Sequence, residues 1–379
     1  MAPQQGSPLA PPIDPSSTYE FSDSDAFARA SRAKVGAGYV YARWANPTVD
    51  ALEAALADLE GTQEAEAFSS GMAAISAVFL ALCSAGDRIV AARQLYGNTY
   101  SLLTDRLPRY GIEADLFDVD DFEGIARAAP GARVLYCETI GNPRIRVADL
   151  TRLGHIARAA KVPLAVDNTF ASPMLCRPVE HGATIVIHSA TKFIGGHHDL
   201  LGGIVCSDGE TISELRRVAR DLGPVLSPFN AWLALRGLAT MHLRVERSSA
   251  SALTVARFLD ERADVDAVHY PGLERSPDKA LADAILGGRG GGTLGFEPTG
   301  GRARAQAFQE ALALVKAAAS LGGTHSLLVH AASVTHTQLG PRELEAAGIS
   351  ESFCRLSVGL EDPGDLIADL GQALDATGP

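Results

Sequence analysis

The sequence predicts an α/β protein with a mostly parallel sheet in a large domain, followed by a smaller α+β C-terminal domain. Short β-branched runs alternate with amphipathic stretches through the first half of the chain. The texture changes after Gly223, where long helical patterns replace the alternation. The chain has 379 residues, 46% apolar and 21% charged, an ordinary soluble composition with enough length for a substantial core.

Residues 1–50 are rich in Pro, Ser, Gly and Asp and show little periodicity, so they read as an extended arm that must pack on something else. A helix is expected from Pro47, with Thr48 and Asp50 near its start and Leu52, Leu56 and Leu59 at helical spacing. The apolar run Met72–Cys83 is too short to span a bilayer and reads as a buried helix. Strands are expected at Arg88–Ala91, Arg133–Cys137, Leu164–Val166, Thr184–Ile187 and Gly203–Cys206, with an amphipathic helix at Leu150–Ala160. Phe229–Leu259 reads as one very long helix, and Gly287–Gly292 as a turn, since no G-x-G-x-x-G opens a helix there. Helices are expected again at Ala303–Ala318 and Asp365–Ala376. These readings divide the chain into an arm (1–50), an α/β domain (51–245) and a C-terminal α+β domain (246–379).

Composition narrows the function. A net charge of −12 and a pI near 5.3, with no basic run, argue against nucleic acid or an anionic membrane as partner. Five scattered cysteines without C-x-x-C spacing argue against a disulfide framework and against a metal site, and fit a reducing compartment. The first residues lack a basic n-region and an apolar h-region, so a cytoplasmic location is expected.

Three segments carry chemistry. In Ile187-H-S-A-T-K-F-I-G-G-H-H-D, Lys192 follows an expected strand, with Ser189 and Thr191 beside it. A lysine ending a buried strand is costly unless its amine is consumed, as in a Schiff base; a surface lysine after a strand is the alternative. In Leu164-A-V-D-N-T-F, Asp167 ends another expected strand. It could face a protonated ring nitrogen, or simply cap a helix. In Phe68-S-S-G-M-A-A-I, small residues open an apolar helix whose N-terminus could cradle a phosphate, with Gly71 allowing close approach. Phosphate cradle, ring-nitrogen acid and imine-forming lysine are together what pyridoxal 5'-phosphate requires.

The sequence resembles the Cys/Met-metabolism (trans-sulfuration) family of pyridoxal-phosphate enzymes from about Tyr39 to about Leu374. The resemblance rests on Tyr41-A-R-W-A-N-P-T, S-S-G-M, Leu95-Y-G-N-T-Y, V-D-N-T-F, H-S-A-T-K, A-W-L-A-L-R-G-L-A-T, S-L-G-G and Arg355-L-S-V-G-L-E-D. It implies the aspartate-aminotransferase-like fold type I and a homotetramer built from tight dimers. It also implies a role at each matching position. Lys192 would carry the cofactor and shuttle protons; Asp167 would pair with the pyridine nitrogen. Tyr96 would stack on the ring and act as acid and base near the leaving group. Gly71, Met72, Ser189 and Thr191 would hold the phosphate, and Tyr41 and Arg43 would reach the phosphate of the neighbouring subunit. Arg355 would clamp the substrate carboxylate, with Ser320 and Asn142 orienting substrate and cofactor.

Within the family the tail Gly348-I-S-E-S-F-C-R-L-S-V-G-L-E-D looks closest to methionine γ-lyase. Ala319 stands where cystathionine enzymes usually carry a glutamate, which suits an apolar thioether such as methionine. Asn98 departs from the cysteine that many methionine γ-lyases have there, and Thr324-H-S-L-L-V-H and Thr335-H-T-Q-L resemble the sulfhydrylases in places. The expected activity is γ-elimination on a sulfur amino acid, with γ-replacement by a sulfhydrylase-type transferase, or cystathionine chemistry, as the alternative.

Overall fold

The computed structural model describes residues 9–32, 38–334 and 349–378. The first eight residues of the arm, the Thr335-H-T-Q-L segment and Gly348 lie outside the described residues.

The larger sheet has seven strands: β1 (Glu64–Phe68), β2 (Arg88–Ala92), β3 (Glu113–Phe117), β4 (Val134–Glu138), β5 (Leu164–Asp167), β6 (Ile185–Ser189) and β7 (Gly203–Ser207). Their order is β1-β7-β6-β5-β4-β2-β3, and β7 alone runs against the rest. The five strands legible in the sequence are the central ones, β2 and β4–β7, because strands covered on both faces read as apolar runs. The two strands not foreseen are the edges. In β1 the E-A-E-A-F pattern has no β-branched residue; Glu64 and Glu66 both accept from Arg216 of the helix Gly209–Leu222, at 2.6 and 3.0 Å. In β3 every side chain is at least partly exposed, so the apolar run that marks a buried strand is missing.

The apolar run after Ser70 forms the helix Gly71–Leu82, and its Ala74, Ile75, Val78 and Phe79 are buried. Burying side chains of the Ile, Val and Phe class contributes about 2 kcal/mol each. The helix expected from Pro47 runs Pro47–Glu60; Asn46, not foreseen, accepts the N–H groups of Thr48 and Val49 at 3.0 and 3.3 Å. All five cysteines are buried and unpaired. Within the arm, Ser24–Arg32 is helical rather than extended: Asp23 accepts from the Ala26 amide at 2.7 Å, and Phe27 packs on Phe21 at 5.0 Å.

The long helix expected over Phe229–Leu259 is two helices, Pro228–Leu238 and Met241–Asp260. The break is made by a buried arginine. Arg244 donates to the carbonyls of Gly237 at 2.7 Å and Phe193 at 2.8 Å, and to the Thr240 hydroxyl at 3.1 Å. The end of one helix is thereby tied to the turn that follows Lys192. That turn packs closely, since a Cβ on Gly237 would lie 2.3 Å from the Ile194 carbonyl oxygen.

The second sheet has five strands, β8 (Val265–His269), β9 (Thr293–Pro298), β10 (Lys316–Ala317), β11 (Leu327–His330) and β12 (Cys354–Ser357), in the order β10-β11-β12-β9-β8. Its apolar face packs on the helices Met241–Asp260, Gly301–Ala311 and Pro363–Ala376 through Val255, Phe296, Phe308 and Leu370. The helix expected to reach Ala318 stops at Ala311. Asp369 draws the next residues out of helical pairing: the Ala313, Leu314 and Val315 amides donate to its carboxylate at 2.8, 2.9 and 2.9 Å. Among the described residues no helix is long and apolar enough to cross a membrane.

Asp369→Ala leaves these three amides without their acceptor and is expected to destabilise the protein by about 3 kcal/mol in urea unfolding. A loss below about 0.5 kcal/mol, the size of an ordinary surface change, would contradict this role.

Candidate active site

The parallel strands β4, β5 and β6 end side by side, and ligands of such sheets sit at the carboxyl ends. Glu138 ends β4, Asp167 ends β5 in register with it, and Ser189 ends β6. Asp167 is buried; its carboxylate accepts the Thr169 amide at 2.9 Å. Burial raises its carboxyl above the usual range, and the Thr169 donors work against that rise.

Lys192 stands in the turn after β6. Its backbone amide donates to the Ser189 carbonyl at 3.1 Å, and its Nζ donates to the Ser320 hydroxyl at 2.9 Å. Burial first and the Arg355 cation second, with Asp167 opposing, lower the amine to about 8. An amine near this value is partly neutral at physiological pH, as a nucleophile or proton carrier must be.

Arg355 comes from the second sheet, on β12, and is buried. Its Nη1 donates to the Asn142 amide oxygen at 2.8 Å, and its Nη2 to the Ser320 carbonyl at 3.2 Å. Its Nε is buried without a partner. Burial lowers the guanidinium to about 10. A buried cation with a spare N–H invites a carboxylate. Ser320, which touches both Lys192 and Arg355, has φ +99°, a conformation that L side chains rarely adopt.

Tyr96 is half-exposed. Its backbone amide donates to Glu138 Oε1 at 2.6 Å, and the Asn98 side-chain amide donates to its phenol oxygen at 3.2 Å. Gly71 and Met72 open their helix where Ser70 already serves the Ala73 amide through its hydroxyl and the Ala74 amide through its carbonyl, each at 3.1 Å. The Gly71 and Met72 amides are therefore left for an anion. A Cβ on Gly71 would lie 2.7 Å from that of Ser189, so glycine lets the helix end approach β6. The Thr191 hydroxyl closes its own loop, donating to the Gly202 carbonyl at 3.4 Å and accepting the Gly202 amide at 3.1 Å.

The structure thus gathers Lys192, Ser320, Arg355 and Asn142 in one hydrogen-bonded group, and sets Asp167, Ser189, Gly71 and Tyr96 on the strand and helix ends around it. Tyr41 and Arg43 lie elsewhere: Tyr41 bridges to Thr18, while Arg43 donates to the Arg220 carbonyl and its guanidinium sits 5.5 Å from the Tyr41 ring. Sequence reasoning missed Glu138, Thr169 and Arg244. Glu138 had a visible signal, since it follows an expected strand as Asp167 does, and Thr169 stands in the V-D-N-T-F segment; Arg244 had none. The reading also missed a buried chain behind β6, in which Glu60 meets His188 at 2.6 Å and accepts from Asn168 at 3.0 Å. Among the described residues no group of three or more His, Cys, Asp and Glu could hold a metal ion.

The residues fit pyridoxal phosphate. There is an amine depressed by burial, a buried acid at a strand end, a helix start with two unserved amides, and a buried arginine with an unpaired Nε. In cofactor-free protein, amine-reagent labelling of Lys192, read by peptide mass mapping, is expected to rise with a midpoint of about 8. Arg355→Gln removes a neighbouring cation, so the midpoint should move up; a fall would show that Arg355 does not face the amine.

Comparison with known proteins agrees with this fit. The family model described as Cys/Met metabolism PLP-dependent enzyme matches residues 2–375. The L-methionine gamma-lyase of Pseudomonas putida is 39% identical over 375 residues, covering 98% of this chain and 94% of that one. The O-succinylhomoserine sulfhydrylase of Pseudomonas aeruginosa is 40% identical over 340 residues, covering 89% and 84%. The crystal structure of cystathionine gamma synthase from Xanthomonas oryzae pv. oryzae, in complex with aminoacrylate and cysteine, superposes with a TM-score of 0.91 at 36% identity, covering 97% and 93%. On the match over nearly its whole length, and on the lysine, acid and arginine that the fold brings together, the chain belongs to the Cys/Met-metabolism family of pyridoxal-phosphate-dependent enzymes.

Proposed function

We propose that this enzyme carries out γ-elimination on a sulfur amino acid, L-methionine foremost, which with one water gives methanethiol, 2-oxobutyrate and ammonia. The observation that carries the reading is the Lys192–Ser320–Arg355 group. A partly neutral amine and a buried guanidinium with an unused N–H share one serine, so a substrate carboxylate held by Arg355 brings its Cα near Lys192. Pyridoxal phosphate, when bound, supplies the electron sink that makes the Cα proton acidic.

The chain's own groups do the rest. Arg355 holds the carboxylate. Lys192 takes the Cα proton, which its depressed basicity suits to reversible transfer, and a Cβ proton is lost before the Cγ–S bond breaks. Tyr96, with its phenol oxygen held by Asn98, delivers a proton to the departing sulfur. With the cofactor bound, Asp167 would pair with the ring nitrogen, Asn142 and Ser320 would orient substrate and cofactor, and Gly71, Met72, Ser189 and Thr191 would hold the phosphate. Ala319 leaves the chain next to Ser320 uncharged, which suits an apolar thioether. The identity to a sulfhydrylase supports γ-replacement as the second reading, since both reactions use the same groups up to loss of the γ-substituent.

Tyr41 and Arg43 act on the phosphate of a neighbouring subunit in this reading. Their place against Thr18 and Arg220, rather than at the strand ends, supports it. A homotetramer of tight dimers follows as part of the same proposal, since a shared site needs a symmetric partner. So do a cytoplasmic location, an arm at 1–50 reaching that partner, and the division of the remainder into 51–245 and 246–379.

Purified, cofactor-loaded protein should release 2-oxobutyrate and methanethiol steadily from L-methionine without an added thiol. No release from methionine, with thioether formation from an activated homoserine ester plus thiol, would replace this reading with the transferase. Tyr96→Phe is expected to lower kcat about 100-fold, the usual scale for losing a general acid. A kcat within twofold of the parent would remove Tyr96 from proton transfer.

A further inference from the structure

Glu138 is buried at the end of β4, yet no step of the reaction needs it. Its carboxylate accepts the Tyr96 amide at 2.6 Å. It also accepts the Asn142 amide, and Asn142 in turn accepts Arg355 through its side-chain oxygen at 2.8 Å. One carboxylate therefore holds the backbone of the residue under the leaving group and the backbone of the residue that aims the carboxylate clamp. Its charged surroundings are Asp167 on the neighbouring strand, in register with it, and Arg355 from β12. A buried acid beside a second buried acid is costly, and burial together with the Asp167 charge raises its carboxyl well above the usual range. Hydrogen bonds from two backbone amides and the nearby guanidinium offset that cost.

We propose that Glu138 is a positioning residue that couples the substrate-carboxylate clamp, through Asn142 and Arg355, to the placement of Tyr96. The proposal rests on the reading that Arg355 binds the substrate carboxylate and that Tyr96 serves the leaving group. In this proposal Glu138 acts through the Tyr96 and Asn142 backbones rather than on substrate or cofactor. A glutamine in its place offers one acceptor oxygen where the carboxylate offers two, and it carries no charge against Arg355.

The test uses cofactor-loaded E138Q, N142A, the double variant and R355K. The readouts are thermal midpoint, cofactor content, kcat and KM for the amino-acid substrate, and the affinity for glycine, followed by the cofactor's absorbance. Glycine carries the carboxylate and amine without a leaving group, so it reports the clamp alone. E138Q is expected to weaken glycine about tenfold and also to lower kcat, with cofactor content retained. N142A, which removes the side-chain oxygen that Arg355 donates to, should weaken glycine to a similar extent. If the two act in one chain, the double variant binds glycine within threefold of the weaker single variant. Multiplying effects in the double variant, or glycine affinity within twofold of the parent in E138Q, overturns the proposal. Should E138Q fail to fold, E138D replaces it: a shortened carboxylate loses reach but keeps charge, so weakened glycine binding at full cofactor content supports the coupling and unaltered binding overturns it. R355K separates the two failures. If R355K leaves glycine affinity unchanged, the assignment of the clamp itself has failed; if it weakens glycine while E138Q does not, only the coupling has.

Discussion

A half-buried lysine and a buried arginine that share one serine shape this molecule. Lys192 and Arg355 reach the same serine from two different sheets, Lys192 through the Ser320 hydroxyl and Arg355 through its carbonyl. Burial weakens the hold of each on its proton, and the Arg355 cation weakens that of Lys192 further. Such a pair is tolerated only where acids stand close and where an anion can complete the site. Asp167 and Glu138 supply the acids from adjacent strand ends, and the Arg355 Nε is left buried without a partner. The depressed amine, the raised carboxyls and the free N–H are consequences of one arrangement.

The surrounding fold keeps that arrangement in place. Strands running the same way bring Glu138, Asp167 and Ser189 to one edge of the sheet. Arg244 collects carbonyls from the turn after Lys192 and from the preceding helix end, so the lysine backbone is tied to a rigid element. The glycine at position 71 lets a helix N-terminus sit directly against β6. The second sheet contributes little surface to the site, but its central strand delivers Arg355.

Much of this was legible in the sequence, and the exceptions have physical causes. Central strands declared themselves because both faces are covered; β1 did not, because an edge strand of alternating Glu and Ala is held by Arg216, a partner far along the chain. Lys192 and Asp167 were readable because a charged residue that ends an apolar run is costly to bury and so needs a reason. The break between Leu238 and Met241 was hidden, since its cause is a tertiary contact made by Arg244 and A-L-R-G-L-A-T-M carries no strong breaker. Asp369 shortened another helix in the same way, from 55 residues downstream. The reading treated Tyr96 and Arg355 as separate, whereas the fold joins them through Glu138 and Asn142.

The central claim is that the burial of Lys192 beside Arg355 makes this amine the one that bears the cofactor. Borohydride reduction of the loaded enzyme, followed by proteolysis and mass mapping, tests it directly, because reduction fixes a pyridoxyl group on whichever lysine carries it. The account predicts one modified peptide, bearing the label on Lys192. Label on Lys34, Lys161, Lys279 or Lys316 instead, with Lys192 unmodified, would contradict it.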